Sequence, residues 1–241
     1  MAEKYVDIDT LKYLLYDIHN LEELLVRDRF QDHDKESLDM FIDSVKEFAD
    51  RELFPYVKEM DENPAYHKDG KVFVHDQVKT MMYKGGEMGL ISAPFNYEDG
   101  GMQIPFLSHT AATYILDAAN NHLPGYAGLT QGAAELIIHF ANKELNQTYV
   151  PNMLSGQWGG TMCLTEPQAG SSLSDIVTKA TPTQDGYYKL TGQKIFISGG
   201  DNNFTENVVH LVLARIEGAP KGTKGISLFV VPKNRPSSNG S

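Results

Sequence analysis

The spacing of apolar residues changes once along this chain, and that change limits the folds it can adopt. As far as Leu154, apolar residues recur every three or four positions, as on the face of a helix that packs against a core. From Trp158 onward, short runs of β-branched and aromatic residues replace that spacing. Helices followed by strands, without alternation of the two, indicate an α+β protein rather than repeated βαβ units.

The helical part divides into separate helices. We expect one through the leucine-rich stretch 11–25 and others over residues 38–53, 78–88, 105–118, 125–140 and 142–154. Alanine and glycine are common among the helices expected over residues 105–154, which leaves room for close packing or for a narrow slot.

The strand part predicts about five to seven short strands. The clearest lie over residues 187–192, 193–198, 208–214 and 225–231, and Asp185-Gly186 is a hairpin signal. We therefore expect an all-helical N-terminal domain followed by a small antiparallel β-barrel or sandwich. The expected divisions are a helical extension (1–34), a helical domain (35–156), a β domain (157–233) and a linker or tail (234–241).

Charge and composition argue against several classes of function. The chain has 241 residues and a formal net charge of −11, and an acidic surface repels phosphate backbones, which argues against nucleic acid as a partner. The single cysteine, Cys163, permits no internal disulfide and suits a reducing cytoplasm. The N-terminus lacks the apolar stretch of a signal peptide, and no apolar run is long enough to cross a bilayer. The histidines show no metal-ligand spacing, so we expect no metal site.

Two segments of the strand part give the most specific signal. Residues 162–171 read Met-Cys-Leu-Thr-Glu-Pro-Gln-Ala-Gly-Ser, and residues 194–200 read Lys-Ile-Phe-Ile-Ser-Gly-Gly. Together they resemble the flavin-facing segments of the acyl-CoA dehydrogenase family, and the resemblance extends over residues 35–232. Gln168 and Phe196, with the N-terminal extension, look like the branch that includes 3-methylmercaptopropionyl-CoA and broad-range acyl-CoA dehydrogenases.

The resemblance implies that both segments bind FAD. A flavin ring needs a flat apolar wall and hydrogen-bond donors along its polar edge. Phe196 would lie against the ring where many relatives have tryptophan, and the Ser198 hydroxyl would reach its polar edge. Ser171 would contact the cofactor pyrophosphate or the pantetheine arm of the substrate, while Ser172 replaces an aspartate that is usual in the family. The expected cofactor-binding residues are Met162, Leu164, Thr165, Ser171, Phe196, Ile197 and Ser198.

The resemblance also implies a reaction. The family removes the α-proton of an acyl-CoA with a glutamate and passes a hydride to the flavin. The expected substrate-binding residues are Ser171, Thr130, Gly132 and Ala133. The family's catalytic glutamate lies in a C-terminal helical domain that this chain is expected to lack, so we expect no catalytic residue here, and Glu166 is interpreted as structural. The expected partners are an acyl-CoA substrate, an electron-transfer flavoprotein as acceptor, and further copies of the full-length protein.

Other interpretations stay open at this point. Cys163 on a buried strand is most simply an inert small apolar residue, and Phe196 taken alone could belong to the core of a sheet. As an N-terminal fragment, the chain should bind flavin weakly, if at all, and show no turnover. The competing functions are a non-catalytic module of a split enzyme that binds acyl-CoA or flavin, and an acyl-CoA oxidase.

Overall fold

The computed structural model describes residues 5–236, in which helices extend as far as Leu154 and a sheet begins at Trp158. The helices are α1 (Ile8–Tyr13), α2 (Glu22–Leu25), α3 (Lys35–Phe48), α4 (Val57–Glu62), α5 (Asp76–Glu87), α6 (Phe106–Asn120), α7 (Pro124–Phe140) and α8 (Lys143–Leu154). The strands are β1 (Tyr66–Lys68), β2 (Lys71–Phe73), β3 (Trp158–Cys163), β4 (Lys179–Pro182), β5 (Tyr188–Thr191), β6 (Asn207–Ile216) and β7 (Ile226–Pro232). The α+β arrangement expected from the apolar spacing is confirmed.

The segment before α3 is not one continuous helix. A π-helical turn follows α1, and the chain then leaves helical geometry at Asn20, whose φ is +48°. The single helix expected over residues 11–25 is therefore wrong, because the stretch is divided between α1, the π-helical turn and α2. The Tyr16 hydroxyl donates to the Asp39 carboxylate of α3 at 2.9 Å, which ties this segment to the helical domain.

The helical domain also contains a β-hairpin. β1 and β2 pair antiparallel with Tyr66 opposite Phe73, and the two rings stack with centroids 5.2 Å apart. The turn residues Asp69 and Gly70 both have positive φ, +51° and +76°, as the tightest hairpin turns require. The expectation of an all-helical N-terminal domain is wrong here, although the turn is an Asp-Gly pair like the one recognised at Asp185-Gly186.

The long helices enclose one apolar core, and α7 joins that core to the sheet. α3 contributes Leu38, Ile42 and Val45 at helical spacing. The backbone of Gly160 in β3 lies directly on α7, since its N–H donates to the Thr130 hydroxyl at 2.9 Å and an added Cβ would lie 2.9 Å from the Thr130 Cα. The absence of a side chain at Gly160 thus allows the strand to pack closely on the helix.

The sheet has five strands and mixed pairing. β3 and β4 pair parallel with the central strand β6, whereas β7 pairs antiparallel with β6 and β5 antiparallel with β4. The hairpin expected at Asp185-Gly186 joins β4 to β5 and is confirmed. The purely antiparallel pairing expected for this domain is wrong, because β6 meets β3 and β4 after long connections rather than through hairpins.

Residues 193–198, expected to be a strand, lack strand geometry. The Ile195 N–H donates to the Thr165 carbonyl at 2.9 Å, but Phe196 then takes a φ of +57° and Gly199 one of +63°. These left-handed residues turn the chain out of an extended path.

The expected division of the chain into an extension, two domains and a tail stays a prediction, and residues 237–241 of that tail lie outside the described residues. No helix in residues 5–236 has both the length and the apolar content that crossing a membrane requires.

Candidate functional site

The two segments singled out in the sequence lie side by side. The Ile195 N–H donates to the Thr165 carbonyl, and the Lys194 ammonium donates to the Leu164 carbonyl, each at 2.9 Å. One backbone and one side-chain hydrogen bond therefore hold neighbouring residues of the two segments together. We call this place the junction.

A buried ion pair stabilises the junction. The Glu166 carboxylate is 2 % exposed and lies 2.8 Å from the Lys194 ammonium. It also accepts from the N–H groups of Val177 at 2.7 Å and Thr178 at 3.1 Å, and from the Gln168 amide at 2.8 Å. Burial by itself would raise the pKa of Glu166, but hydrogen bonds led by the one from Lys194 outweigh it and lower the pKa to about 2.

These contacts make Glu166 a poor general base. A carboxylate with so low a pKa binds a proton weakly, and its oxygens already accept from several donors. The interpretation of Glu166 as structural fits this geometry. Sequence reasoning missed that Lys194 and Thr178 complete the cluster, because the sequence shows Lys194 only as the start of a motif and nothing in it marks Thr178.

Side chains alternate between buried and open along the end of β3. Met162 is 37 % exposed, whereas Thr161 and Cys163 on either side of it are buried. Burial raises the pKa of the Cys163 thiol, which keeps it protonated and agrees with an inert role. Met162 lies on the open face, and the next residues, Leu164 and Thr165, are half-buried.

The second segment presents an aromatic ring to the outside. Phe196 is 88 % exposed, and its φ of +57° is unfavourable for a bulky residue. Ile197 beside it is half-buried and Ser198 is exposed. The alternative interpretation of Phe196 as sheet core is therefore wrong. A strained backbone that holds an apolar ring in the open is more typical of a binding surface.

The loop after Glu166 is a tight, braced turn that leaves Ser171 exposed. Glu166 and Ala169 exchange two backbone hydrogen bonds, at 2.8 and 3.1 Å. The Ser172 hydroxyl donates to the Asp175 carboxylate at 2.7 Å. A carboxylate thus still braces this loop, although it stands three positions later than the aspartate that the family usually has.

Arg215 in β6 anchors the far end of the same loop. Its guanidinium donates to the carbonyls of Ile176 at 2.9 Å, Ser174 at 2.5 Å and Gly222 at 2.7 Å. Sequence reasoning missed Arg215, because its carbonyl partners lie in two loops, over residues 174–176 and 220–222, that only the fold brings together.

Three of the residues expected on the substrate side, Thr130, Gly132 and Ala133, lie on different faces of α7. Thr130 is fully buried: its hydroxyl donates to the Tyr126 carbonyl at 2.7 Å and accepts from the Gly160 N–H. Ala133 is also buried and lies against Gly160. Both side chains pack α7 onto β3, whereas Gly132 lines an open groove. The structure therefore does not bring these three residues together on one surface.

This groove lies between α6 and α7 and has a volume of about 720 Å³. Phe106 and Gly132 are among the residues that line it, together with His109 and Gln131. The His109 Nε2 lies 3.1 Å from the Gln131 Oε1, and the Gln131 amide donates to the Ile91 carbonyl at 2.8 Å. Burial lowers the pKa of His109, so the imidazole is neutral at neutral pH. Sequence reasoning missed both polar residues, which follow no recognised motif.

Within residues 5–236, no group of three or more His, Cys, Asp or Glu side chains could hold a metal ion.

Comparison with known proteins identifies the family. The model of the acyl-CoA dehydrogenase N-terminal domain matches residues 35–157, and that of the middle domain matches residues 161–240. The chain belongs to the acyl-CoA dehydrogenase family. The resemblance noted in the two sequence segments is thereby confirmed.

The relatives include bacterial acyl-CoA dehydrogenases. The chain is 41 % identical over 166 residues to the 3-methylmercaptopropionyl-CoA dehydrogenase of Ruegeria pomeroyi, a match covering 69 % of this chain and 28 % of that protein. It is 33 % identical over 228 residues to a butyryl-CoA dehydrogenase of Syntrophomonas wolfei, covering 92 % of this chain and 37 % of that protein. The chain therefore spans about a third of the length of these curated relatives.

A solved structure supports the fold. The acyl-CoA dehydrogenase of Bacillus anthracis, complexed with FAD, superposes with a TM-score of 0.68 at 24 % identity, over 84 % of this chain and 32 % of that chain. At 24 % identity, this similarity supports the arrangement of helices and sheet alone.

Proposed function

We propose that this chain forms the flavin-binding part of an acyl-CoA dehydrogenase that oxidises the α,β bond of an acyl-CoA thioester. The observation that carries the proposal is the junction, where two motif segments of the family adjoin and present Phe196 to the outside. When bound, FAD supplies the acceptor for the hydride that leaves the substrate.

The residues at the junction fit a flat ring. Met162 and Phe196 are exposed apolar side chains on adjoining segments, and Ser198, two positions after Phe196, is also exposed. Such a surface offers both an apolar wall and a hydrogen-bonding edge. In this proposal the cofactor is held by Met162, Leu164, Thr165, Ser171, Phe196, Ile197 and Ser198.

In this reaction, the residues of the chain position the flavin ring and shield it. The ion pair of Glu166 and Lys194 fixes both segments, so that the flavin wall does not have to reorganise during the reaction. Glu166 does not take the substrate α-proton, since its pKa is held near 2 and its oxygens are occupied. We place that base in another part of the full-length enzyme.

The same proposal includes the partners of the full-length protein and the cellular compartment in which it acts. An electron-transfer flavoprotein would accept the electrons, and the full-length protein would assemble from several copies. The reaction would serve the breakdown of fatty or related acyl groups in the cytoplasm, where a chain with the single cysteine Cys163 needs no disulfide.

A hybrid enzyme tests this function. This chain replaces the matching 228-residue region of the Syntrophomonas wolfei butyryl-CoA dehydrogenase, and the purified, FAD-loaded hybrid is mixed with butyryl-CoA without oxygen. We expect the visible flavin absorbance to bleach as the substrate is oxidised. A folded, flavin-loaded hybrid that does not bleach with any acyl-CoA would contradict the proposal.

The isolated 241-residue chain serves as the control. We expect no bleaching from it under the same conditions, as predicted for a piece that does not contain the catalytic base. Bleaching by the isolated chain would place the base within these residues and would refute that part of the proposal.

A further inference from the structure

A polar pair lies on the face of the sheet opposite to Met162. Thr161 of β3 and His210 of β6 are directly opposite each other in the parallel pair of strands, and the Thr161 hydroxyl lies 2.7 Å from the His210 Nδ1. Because side chains alternate along a strand, Thr161 points away from the open face on which Met162 lies. The pair is therefore on the far side of the strand that leads into the junction.

This polar pair has apolar surroundings. His210 is half-buried and interrupts a run of buried apolar residues in β6, namely Val208, Val209, Leu211 and Val212. Thr161 is fully buried. Burying a hydroxyl and an imidazole costs free energy unless the two groups bond to each other, and replacing both with apolar groups of the same shape can be nearly neutral. Stability alone therefore does not explain why the strands contain this pair.

His210 also lies near the end of the second motif segment. Asp201 directly follows residues 194–200, and its carboxylate lies 2.5 Å from the Lys233 ammonium. Asp201 raises the pKa of His210 and Lys233 lowers it, so both charges act on the imidazole. The backbone N–H of Lys233 donates to a carbonyl of β6 at 2.8 Å, which fixes this ion pair beside the strand. His210 thus bonds to the first segment through Thr161 and interacts with the end of the second.

The protonation state of His210 decides the direction of the hydrogen bond. We assign the neutral tautomer with its hydrogen on Nε2, in which Nδ1 accepts from the Thr161 hydroxyl. Burial has the largest effect on His210 and lowers its pKa below the ordinary value of 6.5. A proton on Nδ1 would turn the Thr161 hydrogen towards the Cys163 sulfur, 3.5 Å away. The titratable and charged groups around the imidazole are Cys163 on β3, Asp201 before β6 and Lys233 after β7.

We infer that His210 is a positioning residue of the flavin site: in its neutral form it holds, through Thr161, the strand that presents Met162. The inference rests on the proposed function and adds to it a residue that acts through another. When the imidazole takes a proton, the Thr161 hydroxyl turns, a positive charge enters the space behind β3, and Met162 is no longer held in one position. Since reacting groups must be aligned closely, flavin reduction then slows.

The test uses the FAD-loaded hybrid enzyme, mixed with butyryl-CoA without oxygen. Thr161→Val combined with His210→Phe replaces the polar pair with apolar groups of similar shape. We expect this double variant to unfold at nearly the same temperature as the unsubstituted hybrid, yet to bleach at least about tenfold more slowly per bound FAD. His67→Asn, on the exposed strand β1, is the control and should bleach at the rate of the unsubstituted hybrid.

The dependence of the bleaching rate on pH separates positioning from packing. His210→Asn keeps a hydrogen-bond acceptor near the position of Nδ1 but does not titrate. We expect it to bleach nearly as fast as the unsubstituted hybrid well above pH 6.5, and to slow less below pH 6.5, where the wild-type imidazole takes a proton. Protonation of the catalytic base elsewhere in the enzyme would slow both proteins alike.

Two results would overturn the inference and leave the proposed function standing. One is a double variant that bleaches at the rate of the unsubstituted hybrid, and the other is equal slowing of His210→Asn and the unsubstituted hybrid below pH 6.5. Absence of bleaching in the unsubstituted hybrid would overturn the proposed function itself. Circular dichroism checks that each variant is folded, and if the double variant is not, the pH comparison with His210→Asn decides alone.

Discussion

At the scale of single residues, the junction depends on a buried charge that must stay paired. The Lys194 side chain is 11 % exposed and holds the Glu166 carboxylate at 2.8 Å. We expect Lys194→Met to destabilise the chain by about 3–5 kcal/mol, because the carboxylate would stay buried without its cation. Urea unfolding measures this loss. The exposed Lys224 provides the control, and Lys224→Met should change stability by less than about 0.5 kcal/mol.

A double variant separates the charge from the packing. Glu166→Gln combined with Lys194→Met removes both charges, so we expect it to recover part of the stability lost in Lys194→Met. If the double variant were less stable than Lys194→Met by the full additive amount, the two residues would not be coupled and the ion pair would not hold the junction.

The same residue predicts a dependence of stability on pH. The pKa of Glu166 falls from 4.5 to about 2 on folding, so the folded chain binds fewer protons than the unfolded chain in that window. The stabilisation is fully present above pH 4.5 and is lost as the pH falls from 4.5 towards 2. Chemical unfolding at a series of pH values should show wild type and Glu166→Gln converging as the pH is lowered. A gap that stays constant over that window would contradict the assigned pKa.

From the sequence, the role of a single residue could be predicted only where a local pattern determines it. The T-E-P motif was enough to interpret Glu166 as structural, and a strand context was enough for an inert Cys163. Arg215 and Thr178 could not be predicted, because their partners are distant in sequence and meet only in the folded chain.

At the scale of elements, alanine substitutions at Gly160 in β3 and at Gly128 in α7 should change the stability of the chain in opposite directions. An added Cβ at Gly160 would lie 2.9 Å from the Thr130 Cα, the Ala133 Cβ and the Met153 Cε, whereas at Gly128 it would meet no described atom within 4 Å. We therefore expect Gly160→Ala to destabilise the chain by about 1–3 kcal/mol and Gly128→Ala to stabilise it by about 0.5–1 kcal/mol. Thermal unfolding of both variants checks this. Similar shifts of the same sign would show that β3 does not pack on α7 as described.

A helix or a hairpin could be predicted from the sequence where a single local pattern determines it. The amphipathic spacing of α3 and the Asp-Gly hairpin at residues 185–186 needed no tertiary information. Residues 193–198 have the β-branched and aromatic composition of a strand, but Phe196 and Gly199 take left-handed conformations there. Composition does not report the sign of φ for a phenylalanine, so the strand prediction failed at the place where the chain exposes its ring.

At the scale of the whole molecule, the helical first part and the sheet-forming second part followed from the change in apolar spacing. The order of strands did not, because spacing identifies strands but does not pair them. β6 pairs with β3 over six residue positions in parallel, and the 43 residues between Cys163 and Asn207 give no local sign of that return. The candidate site shares this limit: both motif segments were visible in the sequence, and their contact was visible only in the fold.

The central claim is that the junction is a flavin-binding wall, and the affinity of the hybrid enzyme for FAD tests it most directly. Phe196→Ala removes the exposed ring at the junction, and Phe140→Ala removes a ring of similar exposure, 80 % against 88 %, at the end of α7. We expect the unsubstituted hybrid to bind FAD saturably, Phe196→Ala to weaken binding by about tenfold through lost aromatic contact, and Phe140→Ala to bind like the unsubstituted hybrid. Equal affinity of all three hybrids, or no saturable binding by the unsubstituted hybrid, would contradict the account.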